Sequence, residues 1–183
     1  TEYDATEKVS YDLALSRRNQ ELMAELAELP YPGVEYMQQI RVLRSLLQDA
    51  LYQDNYIAGA CFQDTHGVDY LIEGDISALQ EEKKAELLAR ADEASGSFVF
   101  LSPDAGCPYL IGARAVRNRL NMSMEPLGYM ILLCDIHHTI SDAVGKLETR
   151  PLSWLVLHEG TVIFSEGESL EEDEPGEGDA QQA

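Results

Sequence analysis

The chain has 183 residues, which is long enough for one folded domain with its own hydrophobic core. Its 33 acidic and 13 basic residues give a formal net charge of -20 at pH 7, which argues against nucleic acid as a partner because phosphate groups repel such a surface. The cysteines, Cys61, Cys107 and Cys134, are odd in number and include no CxxC pair, so the sequence indicates neither a disulfide framework nor a zinc site.

The first fifty residues carry two helical patterns. Apolar residues recur at three- and four-residue steps up to about Glu28 and predict one N-terminal helix, which the segment from Pro30 to Gly33 ends. From Met37 to Leu51 a second apolar stripe predicts another helix.

The period then changes to that of strands. Residues 56–62 and 68–72 flank a polar turn and predict a β-hairpin. A helix is expected to open at Asp75 and Ser77, where the spacing from Ser77 to Gln80 is that of a capping box, and to run to about residue 94. Three more strands are then predicted, at residues 98–101, 109–116 and 129–134.

The C-terminal third predicts a helix that Asp135 caps, followed by a second hairpin at 154–157 and 161–164. The apolar residues of this hairpin have little chain left to pack against, so we interpret it as the start of a truncated second domain. From Glu166 to Ala183 there are eight acidic residues and no basic one, which is typical of a disordered tail. The chain begins at Thr1 without an initiator Met or a signal peptide, so we expect a piece of a longer protein.

Two strands, a helical crossover and three strands are the element order of a PAS-like α+β domain. We therefore predict a five-stranded antiparallel sheet with helices on one face, a long N-terminal helix, and a ligand pocket between the sheet and the crossover. The predicted divisions are a helical region at 1–53, the PAS-like sensor domain at 54–148, the hairpin of a truncated domain at 149–165, and the acidic tail at 166–183.

The segment from Tyr109 to Asp135 resembles the extracellular Cache domain of YesM-like bacterial sensor histidine kinases. In that family a strand with an Arg leads through an Asn and a Ser-Leu-Glu-Pro-Leu-Gly segment to a strand that ends in Asp. The matching residues here are Tyr109, Leu110, Arg114, Arg117, Asn121, Ser123, Glu125, Pro126, Leu127, Gly128 and Asp135. The family has Leu where this chain has Met124, and the match covers roughly a quarter of the chain, with agreement elsewhere only in element order.

The resemblance implies an extracytoplasmic sensor between two membrane helices that signals to a cytoplasmic kinase. The chain itself has no kinase core and no phosphoacceptor segment, so any kinase activity would belong to the parent protein. Family members often serve carbohydrate uptake. A small carbohydrate or carboxylate ligand and a homodimer through the N-terminal helix are the expected partners.

Three residues are the candidate ligand-binding set: Tyr109, Arg114 and Tyr129. Arg114 lies in an apolar strand, where an Arg is rarely buried unless it is paired. It could clamp a ligand carboxylate or sugar oxygen, but a structural ion pair with one of the many carboxylates is the more frequent arrangement. The two tyrosines could flank the same pocket or be core aromatics with a bonded hydroxyl.

No catalytic, cofactor or metal motif is present. The sequence contains no GxSxG, GxGxxG or P-loop pattern, and the adjacent His137 and His138 would point about 100° apart on a helix, a poor geometry for one metal. We expect no cofactor and no metal. A cytosolic PAS- or GAF-like interaction domain stays open as the alternative, because three unpaired cysteines are unusual in an oxidising compartment.

Overall fold

A computed structural model describes residues 2–52, 56–101, 109–135, 153–158 and 161–167, with side chains described from Thr6 to Asp135. The helices are α1 (Glu2–Leu15), α2 (Arg17–Glu28), α3 (Val34–Leu51) and α4 (Glu81–Glu93). The strands are β1 (Ile57–Gln63), β2 (Asp69–Gly74), β3 (Phe98–Phe100), β4 (Tyr109–Arg117), β5 (Pro126–Asp135), β6 (Ser153–His158) and β7 (Thr161–Gly167).

Five strands form one antiparallel sheet in the order β2-β1-β5-β4-β3. Helix α4 is the crossover between the β1–β2 hairpin and the β3–β4–β5 strands. This confirms the predicted α+β class, the five-stranded antiparallel sheet and the division of its strands by a helical crossover. Strands β6 and β7 pair separately as the predicted second hairpin.

The expectation that helices cover only one face of the sheet is wrong. One hydrophobic core joins α1, α2 and α3 to a sheet face that includes Phe62 and Leu132. A second core joins α4 to the opposite face, which includes Ile131 and Leu133. Because successive residues of a strand point to opposite faces, the almost wholly apolar run in β5 serves both cores.

The N-terminal helix is broken at Ser16, where one continuous helix was predicted. Ser16 has φ -51° and ψ 126°, outside the helical region. The side chain of Asn19 donates to the carbonyl of Leu13 at 2.8 Å, and that of Gln20 donates to the carbonyl of Ala14 at 2.7 Å. These carbonyls belong to the last turn of α1 and have no partner inside the helix, so the break is stabilised by polar side chains that an apolar periodicity does not report.

The crossover helix begins later than predicted. Asp75 accepts hydrogen bonds from the backbone N–H and the hydroxyl of Ser77, at 2.8 and 2.7 Å, which forms a local turn. Helix α4 starts at Glu81, and Gln80 at its N-cap makes no side-chain capping bond. The predicted capping box at Ser77 is therefore wrong, because the Ser77 hydroxyl bonds backwards to Asp75.

Some predictions fall outside the described residues, namely the helix after Asp135, Cys107, and the predicted tail at 166–183 apart from its first two residues, which belong to β7. The four predicted divisions of the chain stay predictions. Among the described helices, none is both long and apolar enough to cross a membrane.

Candidate functional site

The three predicted ligand-binding residues do not lie together. The Arg114 side chain contacts α1, whereas Tyr109 and Tyr129 pack in the core beneath α4, on the other side of the sheet. In the β4–β5 pairing, Tyr109 is opposite Asp135 and Tyr129 is opposite Ala115. Tyr109 therefore lies six residue positions along β4 from the partner of Tyr129, about 20 Å at the rise of an extended strand.

Arg114 is bonded on every side by groups of the chain itself. Its side chain is buried, with the residue 4% exposed. Nε donates to the hydroxyl of Ser10 at 3.0 Å, one terminal nitrogen donates to the carbonyl of Gly96, and the other donates to the carbonyl of Glu7 at 3.3 Å. The guanidinium thereby joins α1, β4 and the connection that follows α4.

The charge of Arg114 is only weakly neutralised. The carboxylate of Glu7 lies 3.8 Å away and its side chain is 56% exposed, so water screens the pair. Burial lowers the pKa of Arg114, and the negative charge of Glu7 partly raises that pKa again. The rings of Tyr11 and Phe98 lie 5.6 and 6.0 Å from the guanidinium carbon, within the range of a cation–π attraction. This arrangement favours the structural alternative for Arg114, with carbonyl groups rather than a carboxylate as its main partners.

Tyr129 belongs to a polar cluster at the C-terminal end of α4. Its hydroxyl donates to Oδ2 of Asp92 at 2.6 Å, and Arg117 donates to Oδ1 of the same carboxylate at 2.9 Å. Burial, followed by the hydrogen bond to Asp92, raises the pKa of Tyr129 to about 12. The cluster ties the last turn of the crossover helix to β4 and β5.

Tyr109 lies at the opposite end of the same face. It is half-buried against the core that contains Leu79, Leu101 and Ile111. Its strand neighbour Asp135 donates its backbone N–H to the carbonyl of Tyr56 at 2.8 Å. A half-buried aromatic side chain beside a strand-end carboxylate can offer a ligand both an apolar surface and an acceptor.

The middle of this face is closed by aliphatic packing. Leu87 and Ala91 of α4 are fully buried in the same core as Ala113 and Ile131 of the sheet. The middle of α4 is therefore packed directly against the sheet.

Two cysteines are buried, and their thiols are free. Burial raises the pKa of Cys61 to about 12 and that of Cys134 to about 11. The hydroxyl of Thr6 lies 3.4 Å from the sulfur of Cys134, which adds a contact between α1 and β5. These thiols therefore behave as small apolar residues.

Several hydrogen-bond partners of Arg114 were not predicted. Ser10, Glu7 and Gly96 carry no motif and are far from Arg114 in the sequence. The burial of Lys84 was also not predicted. Lys84 lies in α4 and forms an ion pair with Asp69 of β2. A Lys flanked by acidic residues in a charged helix resembles solvated surface, so its burial had no signal in the sequence.

Comparison with known proteins finds no matching family model and no matching curated protein. Solved structures do match. A domain of a protein assigned to the sensory box/GGDEF family from Vibrio parahaemolyticus is 17% identical, with a TM-score of 0.58 over 91% of this chain and 65% of that one. The sensory domain of the Campylobacter jejuni chemoreceptor Tlp3 is 14% identical, with a TM-score of 0.51 over 89% of this chain and 72% of that one; it has also been solved in complex with L-valine.

The extracellular domain of the candidate histidine kinase vpHK1S-Z8 is 12% identical, with a TM-score of 0.49. This chain spans 52% of the length of the histidine kinase domain and 65% of the length of the sensory box/GGDEF domain. At such identities the likeness concerns the fold. The chain therefore has the PAS/Cache-like α+β fold found in sensory domains of bacterial receptors.

Proposed function

We propose that this chain is the extracytoplasmic ligand-sensing domain of a membrane-bound sensor histidine kinase of the YesM-like type. The observation that carries this proposal is the bonding of α1 to strand β4 of the sheet through Arg114. In such a receptor the N-terminal helix leads to the membrane. A change in the sheet would then move that helix directly, because the Arg114 side chain bonds α1 and β4 together.

The ligand would bind on the α4 face, at the end where Tyr109 and Asp135 lie, or beside Tyr129 at the other end. Arg114 and helix α1 would then lie on the opposite face of the sheet from the ligand. A ligand signals only if it binds two conformations with different affinity. Gly96 follows α4, and its carbonyl accepts a hydrogen bond from Arg114. A movement of α4 would therefore be transmitted to α1 through this bond.

A small carboxylate or carbohydrate is the proposed ligand class. The Tlp3 sensory domain, a similar fold, has been solved with L-valine, so a panel of amino acids and simple sugars is the first screen by isothermal titration calorimetry. If Arg114 is instead a ligand clamp, as its residue type first suggested, Arg114→Ala should abolish binding of a hit while the variant stays folded. Unchanged affinity in the folded variant would contradict the clamp.

The decisive experiment tests on which side of the membrane this chain lies. Tyr52 is 85% exposed at the end of α3, so Tyr52→Cys in the intact natural protein offers a thiol to solvent. The background carries Cys107→Ser and Ser in place of every cysteine outside this chain, and Cys61 and Cys134 are buried. A membrane-impermeant maleimide should label Tyr52→Cys in intact cells, whereas the same background without the new cysteine should stay unlabelled.

Labelling only after lysis would contradict the extracytoplasmic placement. It would favour the alternative, a cytosolic PAS- or GAF-like interaction domain, which the two free buried thiols support. The kinase assignment has its own test. Sequencing the source gene on both sides of the chain should reveal membrane helices and a downstream kinase, and a complete reading frame without them would contradict it.

A further inference from the structure

The ammonium group of Lys84 is a buried positive charge in the first turn of α4. The Lys84 side chain is 9% exposed, and within the described residues its ion-pair partners are Asp69 and Glu81. The carboxylate of Glu81 lies 4.0 Å away and its side chain is 89% exposed, so water screens that pair. Because a buried ammonium is unfavourable without an anion beside it, Lys84 depends on the carboxylate of Asp69.

The other neighbours of Lys84 do not replace this negative charge. Burial, followed by the negative charge of Asp69, raises the pKa of Cys61 to about 12, so this nearby thiol is neutral near pH 7. The N-terminus of α4 adds partial positive charge at the same place. Glu81 and Glu82 lie in that first turn, but both are exposed to water. This end of α4 therefore favours an anion at the position of Asp69.

Both oxygens of the Asp69 carboxylate accept hydrogen bonds from side chains. Nζ of Lys84 donates to Oδ2, and Nε2 of Gln63 donates to Oδ1 at 2.9 Å. The two donors come from α4 and β1, whereas the carboxylate comes from β2. One charged and one neutral donor that meet the two oxygens of one carboxylate form a carboxylate-binding arrangement. We call these two donors the Lys84–Gln63 cradle, and its occupant is a side chain of the same chain.

The cradle is open to solvent on the side of Asp69. Asp69 is the first residue of β2, which is an outer strand of the sheet, and its side chain is 32% exposed. A rotation of this side chain would carry the carboxylate into water, where it stays hydrated. Lys84 has no such route because it is buried under α4. An anion from solvent can therefore exchange with Asp69 while the ammonium stays in place.

The cradle lies on the same sheet face as Tyr129. Asp69 is opposite Gln63 in the β1–β2 pairing, and Gln63 is opposite Tyr129 in the β1–β5 pairing. Side chains of directly opposite residues point to the same face, so these three polar residues form a row across three strands. Two strand spacings separate Asp69 from Tyr129, about 10 Å. The row therefore connects the cradle to one of the two ligand positions proposed above.

We propose that Lys84 and Gln63 bind the carboxylate of a small ligand, and that Asp69 is an internal competitor that occupies this site until the ligand displaces it. The exchange replaces one carboxylate with another, so the buried ammonium keeps a counterion. It also releases β2 from its ion pair with α4, so the free and bound states differ at a defined contact. Because Asp69 is tethered beside the cradle, it competes at a high effective concentration. The signalling role of the exchange rests on the proposed function, but the anion site depends on these residues alone.

Acetate is the probe for the cradle, because it presents a carboxylate with only a methyl group attached. Its binding is measured as the shift of Tm with acetate concentration, with chloride keeping the ionic strength constant. In Asp69→Ala the internal competitor is gone, so half-saturation should occur at an acetate concentration lower by about tenfold or more than in the natural chain. Adding Lys84→Met should abolish this response. The matched control is Glu73→Ala, which removes another carboxylate of β2 that Gln48 bonds, and it should respond as the natural chain does.

An equal response of all four chains would overturn the proposal, because acetate would then act as a general salt. A folded Asp69→Ala variant that acetate stabilises no more than the natural chain would also contradict it. If Asp69→Ala unfolds in chloride, acetate but not acetamide should restore its far-UV circular dichroism. If it stays unfolded in both salts, the uncharged variant Asp69→Ser is judged by the same criteria. None of these results alters the maleimide labelling of intact cells, so failure of the anion site is distinguishable from failure of the proposed function.

Discussion

Arg114 and Ser10 are 104 residues apart in the sequence, and Nε of the arginine lies 3.0 Å from the serine hydroxyl in the buried seam between β4 and α1. Ser10 is fully buried and its own hydroxyl donates to the carbonyl of Glu7 at 2.7 Å. The N-terminal helix is therefore attached to the sheet by a buried polar bond as well as by apolar packing.

Arg114→Ala should destabilise the fold strongly. The substitution leaves the buried carbonyl of Gly96 without the donor that Arg114 supplies, which costs about 1–3 kcal/mol, and it empties the buried space that the Arg114 side chain fills. We expect the free energy of unfolding in urea to fall by roughly 3 kcal/mol. The control is Arg90→Ala, whose side chain is 43% exposed on α4 and should change stability by less than about 0.5 kcal/mol. Equal effects of the two substitutions would show that the Arg114 network is not important for stability.

The hydroxyl of Tyr129 should make stability fall at alkaline pH. Its pKa is about 12 in the folded chain against 10.0 for an unperturbed tyrosine, so its contribution is fully present below pH 10 and is lost as the pH rises towards 12. Solvent screening of this half-buried group limits the loss to about 1 kcal/mol.

Tyr129→Phe should therefore show a shallower decline in unfolding free energy between pH 10 and 12 than the natural chain does. The control Tyr52→Phe alters an exposed ring and should keep the natural slope. An identical slope in the Tyr129 variant would contradict the role of its bond to Asp92.

Cys61 and Cys134 should resist thiol reagents in the folded chain. Both are buried, and burial raises the pKa of each thiol to about 12 and about 11, so little thiolate is present near neutral pH. In a Cys107→Ser background, Ellman's reagent should react slowly with the native chain and rapidly with two thiols once urea is added. Fast reaction of both thiols under native conditions would mean that these cores open readily.

Gly128→Ala should be among the most damaging small substitutions. Gly128 has φ +136°, and an added Cβ would lie 2.3 Å from the carbonyl oxygen of Gln63 on the neighbouring strand. We expect a loss of about 3 kcal/mol or more, from backbone strain together with the steric clash. The control is Gly67→Ala in the β1–β2 turn, where φ is also positive but no atom lies within 4 Å of the added group, and where about 1 kcal/mol is expected. Equal losses at the two positions would show that the contact with Gln63 yields at little cost.

The site could be predicted only in part. Arg114 was recognised as unusual because a cation in an apolar strand needs partners, but its partners were expected to be carboxylates or a ligand. They are mostly backbone carbonyls, and no sequence pattern reports which carbonyl a distant side chain meets. Likewise, Tyr109 and Tyr129 do share a sheet face, but the antiparallel register places them near opposite ends of the β4–β5 pair.

The sequence predicts the strands, the crossover and the α+β class, because alternating and 3.6-residue apolar patterns are local features of the chain. It did not determine the break at Ser16, the covering of both sheet faces, or the separation of Arg114 from the two tyrosines. Those features depend on hydrogen bonds and packing between residues far apart in the chain, such as Gln20 with Arg117 and Arg114 with Ser10. Only the folded chain brings those residues together.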